Sequence, residues 1–216
     1  ILIICMPSAV TSNYVTKLAN GNITLSVSLT AITASLSFIT IPFMFTVISP
    51  ILINETIVLQ NLDFKKMSLS LLFITTIPVL IGIFINTKFN IFIKKISKFL
   101  SYSSLFLFLL IIIGAWIVEW VYVIELYKTI GVLVALLSAV VLIMVNILVN
   151  IFKLNLENKR TIIIETFIQN GAMAIIVGEL ALGFGSGYMT IAAIYALFQY
   201  KILCAWWFTK KFVSSI

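Results

Sequence analysis

The chain has 216 residues, of which 62% are hydrophobic and only 10% charged, with a formal net charge of +7 and no histidine; its mean hydropathy is +1.21. A water-soluble domain carries roughly a quarter charged residues, so this chain has too few to cover a surface that faces water, and much of that surface must meet lipid. The basic residues fall in short clusters between apolar runs, where they set membrane orientation and do not point to nucleic acid, and the lack of histidine removes the commonest general base and metal ligand.

Inside a bilayer the backbone must satisfy its own hydrogen bonds, which leaves helices or a closed barrel. The apolar runs are long and continuous, unlike the roughly 10-residue alternating segments of a barrel. The expected fold is therefore an all-α integral membrane protein of about seven transmembrane helices, each near the roughly 20 residues that cross the hydrocarbon. The first span covers Ile1 to Leu18 and is interrupted at Pro7. The chain opens inside an apolar run and without Met, so it is expected to be a piece of a longer protein. Around the interruption stands Cys5-Met6-Pro7-Ser8-Ala9-Val10-Thr11-Ser12-Asn13. Proline removes a backbone donor and blocks the normal helical bond, and small or polar residues follow it. Two readings stay open, a broken helix whose freed groups line protein or water and a proline kink packed against a neighbour.

The second span runs from Thr24 to Ile48 and carries Ser26 and Thr30, four apart and so on one helical face. They are either packing residues or, beside Ser12 and Asn13 across a short turn, oxygen ligands. The third, fourth and fifth spans are expected at Met67–Thr87, Leu100–Trp120 and Ile130–Phe152, with Trp116, Trp120, Tyr122 and Tyr127 as an aromatic belt at one boundary. The sixth runs from Thr161 to Leu182 and carries Glu165-Thr166-Phe167-Ile168-Gln169-Asn170-Gly171. A carboxylate near mid-membrane costs on the order of 3 kcal/mol or more, so Glu165 either binds a cation or is a protonated, hydrogen-bonded tie between helices. Gln169 shares its face if the stretch is helical, and Asn170-Gly171 offers a place to unwind. Glu179 reads as a solvated rim charge. The seventh span runs from Tyr188 to Phe208; within it Lys201 snorkels or faces a cavity. Cys5 and Cys204 read as buried free thiols.

Positive charge alternates between the loops. Lys17, then Lys88, Lys94, Lys95 and Lys98, then Lys153, Lys159 and Arg160, then Lys210 and Lys211 fall on one side, expected to be cytoplasmic. The opposite loops hold Lys65, Lys66 and Lys128 beside Glu55, Asp63, Glu119 and Glu125. The C-terminus is then inside and Ile1 starts outside. The two interrupted spans sit at matching places, each followed by a short connection and one further span, the pattern that marks a transporter binding site at the midplane between two halves.

At these residues the chain resembles the bile acid:sodium symporter family. The stretch P-S-A-V-T-S-N-Y-V-T-K-L-A-N-G-N-I-T-L-S-V-S-L-T from Pro7 to Thr30 is similar to the family's P-G-G-T-A-S-N segment and its L-S-V-x-x-T continuation, and E-T-F-I-Q-N-G from Glu165 to Gly171 is similar to its E-x-G-x-Q-N element. The resemblance implies a ten-span fold of two inverted five-span repeats whose broken helices cross at the centre. Residues 1–50 would hold the last two spans of the first repeat and residues 51–216 the second, with the first three spans missing. It implies a multi-pass protein of the bacterial inner membrane and two sodium sites. Ser12, Asn13, Ser26, Thr30 and Glu165 match the first. Glu165 and Gln169, with carbonyls around Thr166 and Ile168, match the second, which lacks a polar side chain from a span absent here. Ser8-Ala9 replaces the family's glycine pair, Val10 stands where threonine is common, and Gln199 stands where some members have histidine. The positions expected near the substrate are Asn170, then Asn13, with Val10 and Gln199.

The function that follows is sodium-coupled symport of a small organic anion by alternating access. Carboxylate, amide and hydroxyl oxygens suit a hard cation, and half-helix N-termini suit an anionic substrate group. The competing readings are metalloid or organic-anion efflux on the related fold, for which Cys5 gives some footing, and a channel or passive scaffold. An enzyme is disfavoured, since no histidine pair, aspartate pair or serine–lysine arrangement is evident.

Overall fold

The computed structural model describes residue 3, residues 5–52, 64–118 and 120–182, and all of 191–205 except 193, 197, 200 and 204. The described residues are overwhelmingly helical. In chain order they form α1 (Val10–Leu18), α2 (Ile23–Leu52), α3 (Phe64–Leu71) with a π-helical turn at Leu72–Thr76, α4 (Ile77–Lys88), α5 (Asn90–Val118), α6 (Trp120–Ile151), α7 (Leu156–Phe167) and α8 (Gly171–Leu182). A further helical stretch over 191–205 closes the described part.

Among the described residues three helices are long and apolar enough to cross a membrane: Ile23–Ile48, Phe64–Lys88 and Lys128–Ile151. They carry a lipid-type exterior, with Ile32, Leu36, Ile39, Phe43 and Val47 of α2 all exposed and no residue of α4 buried. The expected first and sixth spans are absent from that set because they are broken. α1 has 9 residues and α7 and α8 have 12 each, and at about 1.5 Å per residue none crosses alone. Two boundaries differ from expectation. Residues 90–99, read as a basic loop before a fourth span, belong to α5. Residues 120–129, read as a connection before a fifth span, belong to α6. Their strongly apolar, β-branched and aromatic makeup continues the helix without a glycine or proline to stop it. The side chains of Trp116, Trp120, Tyr122 and Tyr127, and Glu179, Cys204, Lys210 and Lys211, lie outside what is described.

The turns are specified locally. α1 ends in a Schellman motif: Asn20 takes a left-handed φ of 52°, its N–H reaches Lys17 O at 3.2 Å, and Gly21 N–H reaches Thr16 O at 2.9 Å. Asn22 then caps α2, accepting from Leu25 N–H at 3.0 Å, and Asn155 caps α7 through Asn158 N–H at 2.9 Å. These two turns dock on each other. Asn22 N–H donates to Thr161 Oγ1 at 2.8 Å, Asn22 Nδ2 to Asn158 Oδ1 at 3.1 Å, and Arg160 Nη1 to Ala19 O at 3.2 Å. The Lys17 turn and the Lys153–Arg160 turn therefore lie at one end of the molecule, as the alternation of basic loops requires.

The π turn also has a sequence cause. Pro78 lacks the N–H that would bond Ile74 and crowds that carbonyl, and the helix widens so that Ile77 N–H reaches back to Leu72 O. Hydroxyls tie this wide turn to α2: Ser37 Oγ lies 3.1 Å from Thr75 Oγ1, and Thr76 Oγ1 donates to Ser35 O at 3.3 Å.

The buried interior falls on either side of the broken segments. One cluster joins Met6, Ile41, Phe45, Met67, Leu71, Met173 and Val177. Another joins Ala9, Leu142, Val145, Val149, Ile163, Phe167, Ile168 and Leu203. Between them the two interruptions meet.

Candidate functional site

Pro7-Ser8-Ala9 and Ile168-Gln169-Asn170 are both non-helical, and each supplies what the other lacks. Ala9 N–H donates to Ile168 O at 3.1 Å and Asn170 N–H to Pro7 O at 2.9 Å, an isolated antiparallel bridge between Ser8 and Gln169. Backbone groups freed by a break inside a bilayer must find partners within the protein, and here two breaks satisfy one another. Of the two readings of Pro7, the broken helix is the one observed. α1 begins just after one break and α8 just after the other, so two helix N-termini follow directly on the bridge.

One turn before the second break, Glu165 is 5% exposed. Hydroxyls from the first broken hairpin surround its carboxylate. Ser12 Oγ donates to Oε1 at 2.6 Å and Thr30 Oγ1 to Oε2 at 2.8 Å, and Ser26 Oγ donates to Oε1. Asn13 Oδ1 joins the group, 2.7 Å from Ser26 Oγ and 3.4 Å from Thr30 Oγ1. The helical spacing explains the convergence. Ser12 lies on the buried face of α1, and Ser26 and Thr30 present one face of α2. The Schellman turn folds those two faces toward α7.

The protons do not go round. Ser12, Ser26 and Thr30 have one hydroxyl proton each. Besides Glu165, their oxygens lie within hydrogen-bond distance of Ala9 O, Asn13 Oδ1, Thr16 Oγ1 and Ser26 O. Carboxylate, hydroxyl, amide and carbonyl oxygens gathered in this way are of the type that can hold a hard cation. The oxygens gathered here are one carboxylate and neutral hydroxyl, amide and carbonyl groups; the described residues hold no group of three or more His, Cys, Asp or Glu. At the break itself Gln169 Oε1 is buried without a hydrogen-bond partner.

The other candidates are placed more variously. Ile168 O is engaged by Ala9, and the Thr166 side chain is exposed. Asn170 is half-buried and caps α8, its Oδ1 accepting from Met173 N–H at 3.0 Å. Val10 is 64% exposed on the first turn of α1, outside the buried group. Gln199 is fully buried, and its amide bonds the Gln169 backbone. Lys201 is exposed with Nζ 5.8 Å from the Phe198 ring centre, and Cys5 is a half-buried free thiol.

Three further residues, not among the sequence candidates, stand in or beside this network. Ser8 is buried and donates to Thr30 Oγ1 at 3.3 Å. Thr16 is buried, its Oγ1 3.3 Å from Ser26 Oγ. Thr161, one turn before Glu165, anchors the Asn22 turn. Spacing offers a signal for two of them, since Thr16 follows Ser12 by four and Thr161 precedes Glu165 by four.

A family model described as the sodium bile acid symporter family matches residues 1–126. That range contains the first broken hairpin and stops short of Glu165. No curated protein matches the chain.

Proposed function

Because the chain belongs to the sodium bile acid symporter family, an integral membrane family of sodium-dependent transporters, we propose that it is a symporter carrying a small organic anion with sodium by alternating access. The observation that supports this best is the buried Glu165 carboxylate, met by Ser12, Ser26 and Thr30 from the opposite broken hairpin. In this reading Ser12, Asn13, Ser26, Thr30 and Glu165 hold one sodium ion. Glu165 and Gln169, with carbonyls around Thr166 and Ile168, hold the other.

Bound sodium neutralises the carboxylate and ties the two broken spans together. The N-terminal ends of α1 and α8 then receive the anionic group of the substrate, with Asn170 and Asn13 nearest to it. Each sodium ion crossing 100 mV contributes about 2.3 kcal/mol, so two ions drive one singly charged anion uphill. The same reading carries the seven-span count, the division of an inverted repeat at residue 50, and a place in the bacterial inner membrane with the basic loops and the C-terminus in the cytoplasm.

The test is electrical. Proteoliposomes of the purified protein on a solid-supported membrane are exposed to a panel of organic anions, from short carboxylates to sterol-like acids, in sodium and then in potassium. Symport yields a transient inward positive current on anion addition in sodium alone. A steady sodium conductance without any anion, or anion currents that persist in potassium, refutes it.

A further inference from the structure

We infer that Gln199 is a positioning residue for the cation site: its side-chain amide clamps the unwound peptide at Gln169 and fixes where Gln169 Oε1 stands. The inference rests on the sodium reading given above and assigns a role to the closing helical stretch, which otherwise has none at the site.

Gln169 is the middle residue of the second break, so its own N–H and C=O lack helical partners. Gln199 meets both. Gln169 N–H donates to Gln199 Oε1 at 2.9 Å, and Gln199 Nε2 donates to Gln169 O at 3.1 Å. A carboxamide presents one donor and one acceptor at the spacing of a peptide group, so Gln199 acts as a one-residue strand edge. The bridge to Ser8 borders Gln169 from the other side. Gln199 is fully buried, with its oxygen and an amide hydrogen committed to backbone, which is the arrangement of a brace and not of a group that reads a substrate.

A second contact fixes the same approach. A Cβ on Gly171 would lie 2.6 Å from Ala196 Cβ, closer than two carbons approach, and Ala196 is one turn before Gln199. The closing stretch therefore docks at two points, Ala196 on Gly171 and Gln199 on Gln169. The side-chain Oε1 of this doubly held residue is buried and unpartnered, an unfavourable state for an acceptor unless a ligand completes it. Holding the peptide in advance removes the ordering that cation binding would otherwise require.

The test measures binding of radioactive sodium to the purified protein in detergent, with no organic substrate present. Gln199→Met keeps the volume and removes both bonds; the sodium concentration at half-saturation is expected to rise about tenfold, the equivalent of about 1.4 kcal/mol. Gly171→Ala is expected to weaken sodium in the same direction, and Gly171→Ala with Ala196→Gly to recover it, because the pair restores the clearance. This pair decides the matter should Gln199→Met fail to fold. Unchanged sodium binding in Gln199→Met, or no recovery in the Gly171→Ala, Ala196→Gly double variant, overturns the clamp. A wild-type protein that binds no sodium overturns the sodium reading itself, a result distinct from either.

Discussion

Replacing Glu165 by Gln isolates charge from shape. The carboxamide has the size of the carboxylate and still offers two heads to Ser12, Ser26 and Thr30, whose hydroxyls rotate to donate or accept. What is lost is the one negative charge among neutral oxygens. A unit charge about 4 Å from a cation, at an effective dielectric of about 20, is worth about 4 kcal/mol, or nearly a thousandfold in a dissociation constant. The side chain is 5% exposed, so water screens little of this. Glu165→Gln is therefore expected to abolish measurable sodium binding, and with it sodium-dependent uptake. The thermal midpoint in sodium-free potassium medium should hold or rise, because a buried charge no longer needs to be solvated by the protein. The assay is radioactive sodium binding to the purified variant, with the thermal midpoint as a check on folding. A folded variant whose half-saturation lies within about threefold of wild type would show that the carboxylate is a structural tie only.

Three further outcomes follow from the same geometry. Exchanging potassium for sodium should raise the thermal midpoint of the wild type, by the equivalent of about 2.7 kcal/mol at a sodium concentration near 100 times the dissociation constant; an identical midpoint in both salts would count against cation binding. Ser26→Ala removes the hydroxyl shared by Glu165 and Asn13 and should weaken sodium about tenfold and stability by about 1–3 kcal/mol, read from sodium titrations and denaturation of the same sample. Gly21→Ala places a Cβ 2.8 Å from both Thr16 Cγ2 and Thr161 Oγ1, prising the Asn22 turn from α7. The thermal midpoint should fall by the equivalent of about 1–3 kcal/mol, and a wild-type midpoint would mean that the turn is not docked as described.

The first broken hairpin is largely legible in the sequence. Pro7 followed by Ser8 and Ala9 announces the interruption, Asn20-Gly21-Asn22 the turn, and the four-residue step from Ser26 to Thr30 the shared face. The second is half legible. Glu165 stands out because a carboxylate is costly in an apolar run, and Asn170-Gly171 points to a break that lies slightly earlier, at Ile168 to Asn170. Gln199 is less legible, since a lone glutamine in a helix carries no sign of its partner. Only folding shows that both ends of its amide are taken by Gln169. Val10 draws attention by standing beside the break, whereas its 64% exposure depends on which side of α1 meets the rest of the protein.

What the residues determine alone is local: lipid-compatible helices, where the helical bond pattern fails, and which oxygens share a face. Those follow from periodicity, proline and the energetics of polar groups in hydrocarbon, all set by neighbours within a turn or two. The tertiary structure decided who meets whom. Ser12 and Glu165 are separated by 153 positions, and Ser8 pairs with Gln169 across a similar distance. No short-range rule selects these partners; they are fixed by the packing of whole helices, which brings two backbone breaks together so that each supplies one donor and one acceptor to the other.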